Sequence, residues 1–410
     1  MSAPPSSGQG PAEPWAVLAP LGLAGFVFIG AMLASLSVYG AAMQARFGWT
    51  ETELGGGPVA LLLGMSLGNL GVGGALRRFD VRMTFVTGSL LAVLGWLAAA
   101  GVGSLAQFML AMGIAGVGAG MATIVPGIAV LTRLFHRRRG LAVALFIGCC
   151  ALASSTMPIV TGRLIEGIGW RGAFAVGGLA GLAPLPLILR VLPRRLPDAD
   201  AAPGEQGAPG LARAGALRLP AFWLLVAVST VSQVCMNGVQ FTTVAFLTKA
   251  GLAAPHAVTL YSATNFMSLP GLLVGGYLSD RVRASRLLPA IIALQAMGTL
   301  ALLGAGPGGA AAMAALALFV VVWGGVAGLP AQSAALLLAE LIGQRSFGSL
   351  LGILFTLNGF LGAFGPGLTG WLHDLGGGYA LPFGLFGGTL LVAAAAALLC
   401  RPAATTQPAR

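Results

Sequence analysis

The chain has 410 residues, of which 57% are hydrophobic and only 8% charged, with a mean hydropathy of +0.90. A soluble chain of this length carries about a quarter of its residues as charges, so a water-exposed globule is excluded and an integral membrane protein is expected. The net charge of +11 needs no nucleic acid to explain it, because basic residues collect in the loops on one side of a membrane protein and meet anionic lipid there.

Residues 1–15 read as a cytoplasmic tail. Twelve stretches of the length needed to cross a hydrocarbon core, about 20 apolar residues, then follow: 16–45, 54–76, 83–104, 106–132, 140–163, 171–192, 220–248, 257–279, 287–305, 309–340, 347–372 and 379–400. The first is too long, and too late after Met1, for a cleavable signal peptide, and it lacks a basic n-region. The segment 193–219 is rich in Pro, Gly, Ala and charge and reads as a flexible cytoplasmic linker. It divides the chain into bundles of six helices at 16–192 and 220–400, with a tail at 401–410. The expected fold is an all-α membrane protein of two pseudo-symmetric six-helix bundles.

Basic residues orient these spans. Of the 22 Lys and Arg, only Arg46, Arg163, Arg171 and Lys249 fall on the side opposite the termini. The positive-inside rule therefore places both termini in the cytoplasm and the protein in the cell membrane. Cys149, Cys150, Cys235 and Cys400 lie in predicted helices and are expected as free thiols. His136, His256 and His373 form no metal-ligand spacing, and Lys249 follows Phe246-Leu247-Thr248 rather than a Gly-rich phosphate loop. No cofactor, metal or ATPase activity is expected. Nothing resembles a Ser–His or acid–His set at one depth, so an enzyme is not expected.

The halves echo one another at an offset of 208 residues: Arg137 falls on Arg345, Pro158 on Pro366, Thr161 on Thr369, Gly162 on Gly370, Leu164 on Leu372, and Glu166 on Asp374. Gly73–Arg78, after helix 2 (54–76), is matched by Gly276–Arg281 after helix 8 (257–279). Parallel repeats of this kind place a substrate site near the midplane, between the halves.

With these features the chain resembles a major facilitator superfamily transporter over essentially its whole length. The loop signature Gly-x-x-x-Asp-Arg is met by Gly276, Asp280, Arg281 and Arg283, while the N-half copy keeps Gly73, Arg78 and Arg82 but has Arg77 where the acid is usual. SVYGAAMQARFGWTETEL (37–54), LFHRRRGLAVAL (134–145) and GRLIEGIGWRGAF (162–174) resemble the monocarboxylate-porter and oxalate–formate-exchanger branch. The resemblance implies a secondary transporter working by alternating access, with gating by Asp280, Arg281, Arg78, Arg138 and Arg139. It also implies an arginine on helix 8, eight residues before the loop aspartate, to pair with a carboxylate substrate. Leu272 stands there, and a bare carboxylate in the cavity would lack a partner.

Polar residues at helical spacing inside hydrocarbon face either a cavity or another helix. Helix 7 (220–248) offers Ser229, Gln233, Asn237 and Gln240, and helix 8 offers Tyr261, Asn265 and Ser268, a stripe that Leu272 continues. Ser35 and Tyr39 on helix 1 (16–45), Ser66 and Asn69 on helix 2, and Thr356 and Asn358 on helix 11 (347–372) add to the expected substrate site. Trp323 on helix 10 (309–340) is core filler or a cavity wall. Glu340 and Glu166 approach helix interiors near their ends, and no carboxylate lies mid-membrane. The expected partners are a small organic solute, coupled to protons or a counter-solute or to neither, and membrane lipid, with no nucleic acid and a monomeric chain. The alternative is an exporter of amphiphilic compounds, which fits Met236, Phe241, Phe266, Met267 and Trp323.

Overall fold

The computed structural model describes residues 14–78, 80–135, 138–195, 213–305, 308–343 and 346–400, and among these no strand occurs. Eleven helical segments are long and apolar enough to span a membrane. One of them, Gly140–Val191, contains two crossings, because Gly169 (φ 74°, ψ 166°) interrupts it in a backbone region open essentially only to glycine. The protein is thus a multi-pass membrane protein with twelve crossings. They are α1 (Trp15–Phe47), α2 (Glu51–Arg78), α3 (Val81–Ala100), α4 (Leu105–Leu134), α5 (140–168), α6 (170–191), α7 (Pro220–Lys249), α8 (Ala254–Ser279), α9 (Ala284–Gly304), α10 (Ala310–Ile342), α11 (Phe347–Gly376) and α12 (Ala380–Ala397). The loops before α2, α4, α6, α8, α10 and α12 form the far end of the bundle, opposite the termini end.

Two hydrophobic cores form, one in each half. In the first half Tyr39 stacks on Phe174 at 3.9 Å and Trp96 meets the same ring edge-on at 5.0 Å. In the second, Phe222, Tyr261, Phe319, Trp323 and Phe383 are buried together. Bare backbone sets the spacing within the first half. A Cβ on Gly116 of α4 would lie 2.1 Å from the Leu61 carbonyl oxygen of α2, and one on Gly120 would lie 2.4 Å from that of Met65. Small residues at i and i+4 allow such close approach between membrane helices.

Several crossings depart from α-helical geometry at mid-depth, among them α6 at 181–184 and α11 at 363–364. Phe26–Ala34 of α1 and Phe319–Trp323 of α10 are π-helical, and α4 breaks at Thr123 (φ −121°, ψ −123°). The Ser35 hydroxyl donates to the Gly30 carbonyl at 2.9 Å, and Thr123 donates to that of Ala119 at 2.7 Å. Side-chain hydroxyls of this kind re-satisfy backbone groups freed by an irregular turn inside hydrocarbon. α7 stays regular over its whole length.

Candidate functional site: the interface between the halves

Glycine at the two ends of the chain's longest-range contact lets the far end assemble. Gly48 (φ 70°) closes α1, with its N–H donating to the Gln44 carbonyl, and Gly377 (φ 68°) closes α11 in the same left-handed conformation, the usual device for ending a helix. Between Gly48 and α2 lies a capping box: the Thr50 hydroxyl accepts from the Glu53 N–H at 3.2 Å, and the Glu53 carboxylate accepts from the Thr50 N–H at 2.9 Å. Glu53 is thereby spent on its own helix. Glu51 is left to face the second half.

The Glu51 carboxylate is buried, with only 5% of its side chain exposed. Oε1 accepts from Lys249 Nζ at 2.5 Å and from Gln44 Nε2 at 3.3 Å, and Oε2 accepts from the Tyr379 hydroxyl at 2.8 Å. The next residue, Thr52, donates its N–H at 2.9 Å and its hydroxyl at 2.5 Å to Asp374 Oδ2. His373 closes the ring, with Nε2 3.4 Å from Lys249 Nζ and Nδ1 3.1 Å from Asp374 Oδ1. An ammonium has only protons to offer, so Nε2 accepts from Lys249 and Nδ1 carries the ring proton toward Asp374. Burial first, and the Glu51 carboxylate second, push the Tyr379 phenol above its ordinary range. Tyr379 therefore stays protonated and acts as a donor. Two consecutive residues of the first half are thus tied to three of the second, which His373 links to one another.

Packing follows the same line. A Cβ on Gly370 of α11 would stand 2.2 Å from the Glu51 carbonyl oxygen, and one on Gly55 of α2 would stand 2.7 Å from that of Pro366. Val59 lies 3.1 Å from the corresponding point on Gly367, and Ser66 Oγ 3.2 Å from that on Gly359. Positions 55, 59, 66 and 70 share one face of α2, and 366, 359 and 355 share one face of α11. The pairing stops after Ser66 and Gly359: Leu70 is 59% exposed and Phe355 43%. α2 and α11 therefore touch from the far end to mid-depth and part toward the termini. Behind Glu51 a void opens between the halves, bordered by Ser37, Tyr39 and Met43 of α1, Leu54 and Pro58 of α2, Phe108 of α4, and Phe241 and Thr242 of α7.

Several expected substrate residues bond within their own half. The Asn358 amide oxygen accepts from the Thr230 hydroxyl at 2.8 Å and the Ser229 hydroxyl at 3.2 Å. Gln233 Nε2 donates to Asn237 Oδ1 at 3.1 Å, and Asn237 Nδ2 donates to the Gly362 carbonyl at 2.9 Å. Three of these bonds join α7 to α11, and the Gln233–Asn237 bond lies within α7. Ser35 is buried against its own helix, Ser268 donates to the Asn265 carbonyl at 2.6 Å, and Asn265 Nδ2 donates to that of Tyr261 at 3.2 Å. Trp323 is core, stacked on Phe319 at 5.3 Å with its indole N–H unpartnered. Tyr39 is likewise stacked in the first core but borders the void. Asn69 is half-buried, its amide oxygen unpartnered.

One cluster does bridge the halves at mid-depth. The Tyr261 hydroxyl donates to the Ala34 carbonyl at 3.0 Å, where the π-helical turn of α1 ends, and Ser37, Asn265 and Gln240 lie around that hydroxyl. Leu272, by contrast, departs from the expected stripe. Its side chain packs 3.1 Å from the Cβ position of Gly328 on α10, beside Leu287, Ile291, Val326 and Leu329. Close approach of α8 to α10 through Gly271 and Gly325 turns that face toward α10.

At the termini end, Asp280 is exposed and forms no ion pair among the described residues, and the Arg281 guanidinium lies 4.1 Å from the Tyr277 ring centroid. Arg138 is exposed and engaged in a contact of its own; the side chains of Arg78 and Arg139 lie outside the described residues, as do the linker 196–212 and the tail 401–410. Glu340 accepts from the Ala284 N–H at 2.9 Å and so caps α9. Asp80 does the same for α3 through the Arg82 N–H at 2.8 Å.

Sequence reasoning missed the far-end cluster. Glu51, Lys249 and Asp374 each stood out as charges on the side otherwise poor in charge, and their opposite signs at one depth on both halves were the available signal.

Residues 21–366 match the family model described as Major Facilitator Superfamily. Monocarboxylate transporter 13 of Bos taurus is 28% identical over 337 residues, covering 81% of this chain and 76% of the relative. Monocarboxylate transporter 11 of Homo sapiens is 29% identical over 350 residues, covering 81% and 71%. Among solved structures, a D-xylose-proton symporter superposes with a TM-score of 0.76 at 17% identity, covering 95% of this chain and 98% of that one.

Proposed function

The chain belongs to the Major Facilitator Superfamily, and from that premise we propose that it is a secondary transporter moving a small organic solute by alternating access. The two units that rock are the bundles 16–192 and 220–400. The state described here is closed at the far end and open at the termini end. The observation that carries this reading is the pairing of α2 with α11, tight from Gly370 to Ser66 and lost at Leu70 and Phe355. A membrane transporter with one closed and one parted end presents its central cavity to one compartment at a time. With 18 of the 22 basic residues on the termini side, that compartment is the cytoplasm.

For the solute, the best-placed groups are those that bridge the halves: Tyr261 and Asn265 of α8, with Ser37 of α1 and Gln240 of α7. All are neutral donors or acceptors. Closure at the far end consumes Lys249 on Glu51, and Leu272 packs against α10, so among the described residues no cation beside this cluster waits for a carboxylate. The relatives named monocarboxylate transporters support a small organic solute, and the neutral groups of this cluster favour one that is not held by a fixed arginine. The apolar void lined by Leu36, Met43, Leu54, Phe108 and Phe241 favours a second reading, export of amphiphilic compounds.

Solute counterflow into proteoliposomes separates the two. The vesicles would be preloaded in turn with pyruvate, lactate, a neutral polyol and an amphiphilic dye. Exchange of a polyol or small acid, reduced at least tenfold by Tyr261→Phe, supports the first reading. Exchange of the dye alone supports the second, and exchange of none of them sinks the proposed solute class.

A further inference from the structure

Building on the alternating-access reading, we propose that Glu51 is a proton-binding site, and that the proton it takes up unlocks the far end of the transporter. Coupling to protons then resides in the gate itself rather than in a mid-membrane acid.

The geometry argues for this through the number of donors the carboxylate holds. Three donors converge on its two oxygens, and two of them, Lys249 Nζ and the Tyr379 hydroxyl, come from the opposite half. The third, Gln44 Nε2, belongs to its own half. A protonated carboxyl has lost its charge and carries an O–H donor at one oxygen, so it accepts from fewer donors and its tie to Lys249 falls from an ion pair to a neutral hydrogen bond. Charges on every element around it are accounted for. Lys249 ends α7; His373 and Asp374 end α11, with Asp374 turned to Thr52; Tyr379 precedes α12. Arg46 lies over the Phe47 ring at 5.9 Å, and Glu53 caps Thr50. Among the described residues Lys249 is the one cation in contact with the Glu51 carboxylate.

Opening the far end separates α2 from α7 and α12 and so removes Lys249 and Tyr379 from Glu51. An ion pair favours the ionised acid, and its loss favours the neutral one. The open state therefore binds a proton more tightly than the closed state, and by reciprocity a proton on Glu51 favours the open state. In the forward step, a proton from the far side bonds to a Glu51 oxygen while Lys249 keeps its own. On reclosure the Lys249 ammonium re-pairs with the carboxylate, and the O–H proton leaves into the void at Gly55, Pro58 and Thr242, on the cavity side. One proton crosses with each solute. The cycle is electrically neutral for a monoanionic solute and carries one positive charge for a neutral one.

The test reads the gate directly and needs no solute. Spin labels at Arg46→Cys and Ala253→Cys, in full-length protein whose Cys149, Cys150, Cys235 and Cys400 are replaced, would report the far-end distance in nanodiscs. Lowering pH through the carboxylate range should shift the population to longer distances. In Glu51→Gln the long distance should dominate at every pH, and in Lys249→Gln the pH-driven shift should likewise be lost. A pH-difference infrared spectrum should also lose its protonated-carboxyl C=O band in Glu51→Gln. The last readout is one a merely structural pair would not move. A wild-type distance that ignores pH, or a Glu51→Gln variant that keeps the wild-type shift or the band, overturns the proposal. Gly370→Leu distinguishes the two levels of the argument. If it opens the far end while pH does not, only the proton site fails; if no variant changes the distance, alternating access fails as well.

Discussion

At the far end α2 comes so close to α11 that a Cβ on Gly370 would lie 2.2 Å from the Glu51 carbonyl oxygen. Nineteen residues along α2 and fifteen along α11, Leu70 and Phe355 are exposed. The far end is held by backbone contact and by charge: Glu51 on Lys249, and Asp374 on the Thr52 N–H and hydroxyl. At the termini end Asp280 forms no ion pair among the described residues, and Arg281 rests on Tyr277 of its own helix. The contrast teaches where the free energy of this state resides. Each bundle carries its own aromatic core, so the contacts that distinguish closed from open lie between the bundles, from the charged ring at the far end down to Ser66 and Gly359.

Breaking the backbone contact should have the largest effect. Gly370→Leu places a branched side chain where the Glu51 carbonyl stands, and backbone cannot yield as a flexible side chain can. The far end should stay open and counterflow should fall by at least tenfold, whereas the bundles themselves should fold, because neither core includes Gly370. Maleimide labelling of a cysteine placed at Ala253 checks the first, and the melting profile in detergent the second.

A smaller loss is expected from Asp374→Asn. An amide keeps one oxygen for Thr52 but loses the charge that strengthens both bonds. Hydrogen bonds to charged groups are worth about 1.5–3 kcal/mol, and partial exposure of Asp374 lowers that to about 1 kcal/mol. The closed far end should lose roughly fivefold in population, measurable as the same labelling rate, with Thr52→Val giving a similar loss and the double variant little more.

Much of this arrangement was legible in the chain before its structure. Charge spacing marked the twelve crossings, and the Arg, Pro and acidic echoes between Pro158 and Pro366 or Glu166 and Asp374 marked two related halves. The polar stripe of α7 was legible too, but its meaning was not. Ser229, Gln233 and Asn237 could face a cavity or a neighbouring helix, and spacing along one helix does not report what stands opposite. The structure gives Ser229 and Asn237 the partners Asn358 and Gly362 of α11, and Gln233 bonds to Asn237 on its own helix. The same limit hid the far-end ring, whose members are separated by 198 to 328 residues (Lys249 and Tyr379 from Glu51). Local signals did fix its parts: the Thr50–Glu53 capping box and the left-handed Gly48 and Gly377 set the angles at which Glu51 and Tyr379 arrive. The π-helical turns of α1 and α10 had no sequence signal in an apolar run.

The smallest effect in the present state belongs to Asp280, and it sharpens the comparison most. Asp280 is exposed and forms no ion pair among the described residues, so Asp280→Asn should leave the stability of the far-end-closed state within about 0.5 kcal/mol, as surface changes without a lost contact usually do. Closing the termini end is a different matter. The end of α8 then approaches the start of α5, where a carboxylate would meet the positive end of a helix and, at Arg138, a guanidinium able to take it in paired hydrogen bonds. Loss of that charge should shift the population toward the termini-open state and slow exchange severalfold, with the melting temperature unmoved. Labelling from the two faces of the membrane reads the shift, since cysteines near Leu70 and Ala253 should respond in opposite directions. If both rates match wild type, Asp280 serves orientation in the membrane alone, and the termini end closes through apolar contacts such as Leu70 with Phe355.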